Sequence, residues 1–171
     1  AAAAGLADTE RRDFIERTDS LVATVTGTGF RFTPVNREAE LSGRLGFDSV
    51  GGIWVKDETH NVAGSHKARH LFTELLHLLV AESRGLAGWT AGSRPELAIA
   101  SCGNAAIAAS TLAASVRWPI RVFVPVSADA AVIDVLNSLG ATVERCPQPV
   151  RTSHPGRGLR RARRACRQTK S

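Results

Sequence analysis

A lysine set just behind a small polar turn is the first feature of this 171-residue sequence that could do chemistry. It lies in Asn61-Val62-Ala63-Gly64-Ser65-His66-Lys67-Ala68-Arg69-His70, where Asn61, Gly64 and Ser65 permit a tight bend and offer an N-cap to a following helix. Lys67 then falls in the first helical turn, where the positive end of the helix dipole disfavours its charged form. A partly desolvated lysine is a nucleophile toward aldehydes, whereas a solvated first-turn lysine contributes only charge. His66 and His70 have the i,i+4 spacing of metal ligands, but no third ligand lies nearby and no metal site is expected. A second turn, Ser101-Cys102-Gly103-Asn104, ends a short apolar run and opens a small-residue helix. Its backbone amides suit an anion, or serve as an ordinary helix cap.

The elements that must position these turns follow from apolar patterning. Residues 8 to 25 read as an exposed helix or arm, and Glu38 to Leu45 as a short helix stopped by Gly46. Ile53 to Lys56 reads as a strand, and Ser65 to Arg84 as a helix with one wide apolar face ended by Gly85. Leu97 to Ala100 is a strand, Ala105 to Val116 a helix able to pack closely, and Ile120 to Val126 a strand. Ala128 to Leu139 is a helix with Gly140 as its C-cap, and Ala141 to Glu144 a last strand. The expected class is α/β, a parallel sheet with helices on both faces. Both turns follow strands and precede helices, so they should converge at one edge of the sheet.

Two sequence blocks resemble a known family. Lys56-Asp57-Glu58 followed by Asn61 to Arg69 is similar to the lysine segment of fold type II pyridoxal-phosphate enzymes, especially the threonine synthase and threonine dehydratase group. Ala100-Ser101-Cys102-Gly103-Asn104-Ala105-Ala106 resembles the same enzymes' Ser/Thr-x-Gly-Asn loop. Thr33-Pro34-Val35, Val122 to Pro125 and Leu139-Gly140-Ala141 extend the resemblance over residues 30 to 146. His66 departs from the threonine enzymes and resembles the tryptophan synthase β-chain; Val62 replaces a frequent proline.

The resemblance implies pyridoxal 5'-phosphate held by a Schiff base to Lys67, with Ser65 and His66 on the phosphate side and Asn104 near the phenolic oxygen. It implies that Ser101 and the amides of Cys102, Gly103, Asn104 and Ala105 hold the carboxylate of an amino-acid substrate. The reaction implied is that of a lyase or synthase of the threonine synthase or dehydratase type, compatible with a homodimer. A β-replacement reaction of the cysteine synthase or tryptophan synthase β type is the alternative. The family's glycine-rich phosphate cradle and its residue facing the pyridine nitrogen have no counterpart after residue 104, so the chain is expected to be truncated and to hold half a site.

Composition divides the chain. The net charge of +6 belongs to the end: Pro147 to Ser171 holds 8 basic residues and no acid, leaving 14 basic against 16 acidic before it. The expected division is a partial enzyme domain over 1–146 and a basic, disordered tail over 147–171, consistent with a shifted reading frame. Such a tail could touch nucleic acid nonspecifically, which leaves open an inactive remnant with a nucleic-acid-binding arm. It has no aromatic residue for base stacking. No apolar run is long enough for a membrane and no signal peptide is visible, which makes the cytoplasm the default. Three widely spaced cysteines suggest neither a disulfide framework nor a zinc knuckle, and Cys102 reads as a small buried filler rather than a reactive thiol.

Overall fold

Alternating strand and helix patterns produce alternating elements in the computed structural model, which describes residues 5–47 and 51–147. Helix α1 (Asp8–Thr26) ends where Gly27 takes a left-handed φ of 76°, a conformation open to glycine at little cost. Strand β1 (Val35–Arg37), helix α2 (Ala39–Arg44) and strand β2 (Trp54–Lys56) follow. A single 3-10 turn (Val62–Gly64) then leads into helix α3 (Lys67–Ser83). The rest is β3 (Leu97–Ala100), α4 (Asn104–Ser115), β4 (Ile120–Pro125), α5 (Ala130–Ser138) and β5 (Thr142–Cys146).

Strands β3, β4 and β5 form a parallel sheet in that order, with Ile99 opposite Val122 and Val122 opposite Val143. Helices α4 and α5 are its crossovers, so the α/β class read from the sequence holds. Side chains alternate across a strand, and Ile120, Val122 and Val124 accordingly enter the main core while Phe123 joins Cys146, Ala98 and Ala100 in a smaller cluster. Helix α4 is central to that core. Its Ala106, Ala108, Ser110, Thr111, Leu112, Ala113 and Ser115 are all buried, because small side chains let α1, α3, α5 and the 3-10 turn approach closely.

Three expectations are corrected. The first helix is not an exposed arm: Val22 is fully buried and α1 packs on α4. The strand before the lysine turn does not join the parallel sheet but pairs antiparallel with β1, with Val35 opposite Lys56. Cys102 is free and exposed rather than a buried filler. The basic tail expected over 147–171 lies, Pro147 apart, outside the described residues. Among the described residues no helix is long and apolar enough to cross a membrane, and no three His, Cys, Asp or Glu side chains cluster as metal ligands.

Candidate active site

The lysine turn is built from backbone that reverses its hand. Asp57 accepts hydrogen bonds from the Thr59 N–H at 2.9 Å and the Thr59 hydroxyl at 2.5 Å, which hold its carboxyl below the usual range. Ala63 and Gly64 then adopt φ of 54° and 61°, two consecutive left-handed residues that swing the chain into α3. Ser65 is extended, and α3 begins at Lys67 without a side-chain cap. The expectation of a serine N-cap is therefore not met. Instead the Ser65 hydroxyl is buried with no hydrogen-bond partner among the described residues. A buried hydroxyl left unpaired costs free energy and needs an explanation. Ala68 is fully buried, while His66 and Lys67 are exposed.

Behind this turn, Glu58 gathers three segments. Its carboxylate accepts from the Thr33 hydroxyl at 2.6 Å, the Asn61 amide at 2.7 Å and Arg69 Nε at 2.9 Å. The Thr33 hydrogen bond, with the Arg69 and Asn61 contacts, holds its pKa at about 2 against the opposing effect of burial. Arg69 also donates to the Arg31 carbonyl at 2.6 Å and lies over the Phe30 ring at 6.0 Å. The basic residue that sequence alone gives no task is thus anchored.

The second turn continues β3. The Ser101 N–H donates to the Phe123 carbonyl at 3.2 Å, Gly103 precedes the helix, and Asn104 is the first residue of α4. No acceptor among the described residues serves the N–H groups of Cys102, Gly103, Asn104 or Ala105. Helices α3 and α4 pack side by side. Their carboxyl ends meet at Arg94, which bonds the Glu82 carboxylate at 2.7 Å from Nε and the Val116 carbonyl at 2.7 Å. Their heads therefore lie at the same end, and the 3-10 turn packs on α4. Lys67, Ser65 and His66 head one helix, and Asn104, with Ser101, Cys102, Gly103 and Ala105 around it, heads the other. Of the two histidines with metal-like spacing, His70 is spent on Glu74 at 3.2 Å.

A family model described as pyridoxal-phosphate dependent enzyme matches residues 26–171. The chain belongs to this family. Solved structures agree on the fold. Diaminopropionate ammonia lyase from Escherichia coli in complex with D-serine is 16% identical, with a TM-score of 0.63 over 90% of this chain and 40% of that one. O-ureido-L-serine synthase is 19% identical, with a TM-score of 0.59 over 88% of this chain and 41% of that one. A pyridoxal 5'-phosphate-dependent aspartate racemase is 23% identical, with a TM-score of 0.58 over 88% and 42%. The chain thus spans about two fifths of the length of these structures. No curated protein matches it in sequence.

Pyridoxal 5'-phosphate is the family's cofactor, and the residues present suit it. An exposed lysine stands beside a buried, unpartnered serine hydroxyl, and uncommitted amides head α4 at the same end. Sequence reasoning missed the Glu58–Arg69 pair. Glu58 lies in the loop after β2 and Arg69 in α3, with the lysine turn between them, so no single element's period relates the two and only the fold brings them together.

Proposed function

We propose that this chain forms part of a pyridoxal-phosphate enzyme acting on an amino acid, with Lys67 as the cofactor-bearing lysine. The observation that carries the reading is that the heads of α3 and α4 lie at a common end, as follows from the meeting of their carboxyl ends. When bound, the cofactor supplies an electron sink for the substrate's α-carbon. The Lys67 amine moves the α-proton. The Ser65 hydroxyl and His66 bind on the phosphate side, and Asn104 orients the ring through its phenolic oxygen. Ser101 and the amides from Cys102 to Ala105 hold the substrate carboxylate, as an N-terminal helix end favours.

The threonine synthase or dehydratase type is the finer reading, supported by Lys56-Asp57-Glu58 and its bonds to Thr33 and Arg69. In the dehydratase type, loss of water from a hydroxy-amino acid followed by hydrolysis would release an oxo acid and ammonia. In the synthase type, loss of phosphate from a phospho-substituted amino acid followed by addition of water would release a hydroxy-amino acid. Exposed His66 beside Lys67 favours the second reading, β-replacement, which would release a new β-substituted amino acid. The division into an enzyme region over 1–146 and a tail over 147–171 belongs to this proposal. Deleting 147–171 should leave chemistry at Lys67 in place while removing any nucleic-acid binding.

The decisive experiment mixes the purified chain with pyridoxal phosphate, reduces with borohydride and locates modified lysines by peptide mass. Selective labelling of Lys67 is expected. Scattered or absent labelling would overturn the assignment.

A further inference from the structure

The head of α3 lacks the feature that normally secures a helix start. No side chain caps it, and the N–H groups of His66 and Lys67 have no acceptor among the described residues. A first turn in that condition frays easily. What ties it down is Arg69, two residues beyond Lys67. At 100° per residue the two side chains are 200° apart, on either side of the fully buried Ala68. Fixing Arg69 therefore fixes the rotation of the first turn about its axis, and with it the direction of Lys67.

Resting on the reading of Lys67 as the cofactor lysine, we propose that Glu58 and Arg69 are a positioning pair that aims the Lys67 amine. Glu58 suits the task because it is itself immobilised. Its side chain is 11% exposed and accepts from Thr33, ahead of β1, and from Asn61, in the turn. Arg69 is held a second time by the Arg31 carbonyl and a third time by the Thr33 hydroxyl at 3.3 Å. A planar guanidinium fork bound at Nε and at a terminal nitrogen resists rotation in a way that an ammonium does not. Lys67 itself makes no side-chain hydrogen bond with any described residue, so its aim comes from the helix.

The test uses the full chain as wild type, Glu58→Gln, Arg69→Met and, as a control at the other end of the same helix, Arg94→Met. Each is reacted with pyridoxal phosphate and borohydride at urea concentrations where it is fully folded, and the rate of Lys67 modification is read by peptide mass. Hydrogen exchange of residues 66–70 is measured alongside. Glu58→Gln and Arg69→Met should slow Lys67 modification by about tenfold or more, as misplacement of a reacting group does. They should also lose protection only in the first turn of α3. Arg94→Met should label at the wild-type rate although its unfolding midpoint falls further. Equal labelling of wild type and Glu58→Gln would overturn the positioning role alone, as would a parallel loss in Arg94→Met. A wild type that does not label Lys67 would overturn both the role and the reading beneath it.

Discussion

Helix α3 is held at each end by a carboxylate and a guanidinium, but the two pairs face different surroundings. At its carboxyl end Glu82 and Arg94 are 12% and 13% exposed and meet through two bonds of 2.7 Å. Arg94 also lies over Trp118 at 4.6 Å, and the Trp118 indole N–H donates to the Pro95 carbonyl at 2.7 Å. At the amino end Glu58 is equally enclosed, yet Arg69 is 39% exposed, in the same helical turn as the solvent-facing Lys67. The buried pair locks α3 to α4 and to the start of β3. The half-open pair leaves the helix head accessible while denying it rotation. Stability and aim are thus assigned to opposite ends of one helix.

Substitutions can break this contrast. Leu75→Ala, in the buried middle of α3, should lower unfolding free energy by about 2–5 kcal/mol and loosen both ends together, as measured by urea denaturation and hydrogen exchange. Arg94→Met leaves Glu82 without its partner and should cost about 3 kcal/mol, at the low end for a partly buried pair, with the loss seen in the unfolding midpoint. Gly64→Ala places a Cβ on a residue with φ of 61° and should cost roughly 1–2 kcal/mol, although the nearest atom, the Thr59 carbonyl oxygen, is 3.7 Å away. That cost should appear as faster exchange in the lysine turn, with the Glu82–Arg94 end unaffected.

The finest contrast is in acid. Glu58 has a folded pKa of about 2 against an ordinary value of 4.5. A depressed carboxyl pKa contributes stability that is present above the ordinary value and is lost as pH falls toward the folded one. Wild type should therefore lose stability between pH 4.5 and 2, and Glu58→Gln should lose less over that interval, as followed by urea midpoints across it.

Much of this architecture was legible in the sequence because it is written locally. Gly27 ends α1, and the apolar runs at Leu97 and Ile120 are strands. The lysine turn and the Ser101–Asn104 turn also stand out, since each is a polar break between apolar segments. What escaped was non-local. Val35–Arg37 is three residues long, with no alternation to mark it, and it becomes a strand only by pairing with β2. Arg69 looks like a solvated helix charge until the fold supplies Glu58. Ser65 matches an N-cap by type and place, yet the left-handed Ala63 and Gly64 carry its hydroxyl into the interior instead.

The burial of Val22 in the α1–α4 contact has a consequence for the order of folding. Strands β3 to β5 and their crossovers join neighbours in sequence, so their loops close at small entropic cost, whereas α1 must find α4 across most of the described chain. The Val62–Gly64 turn touches both helices and is completed only when they meet. Pulsed hydrogen exchange during refolding should accordingly find β4 protected before this turn. The segment that presents Lys67 would then be shaped last, moulded by a sheet already in place.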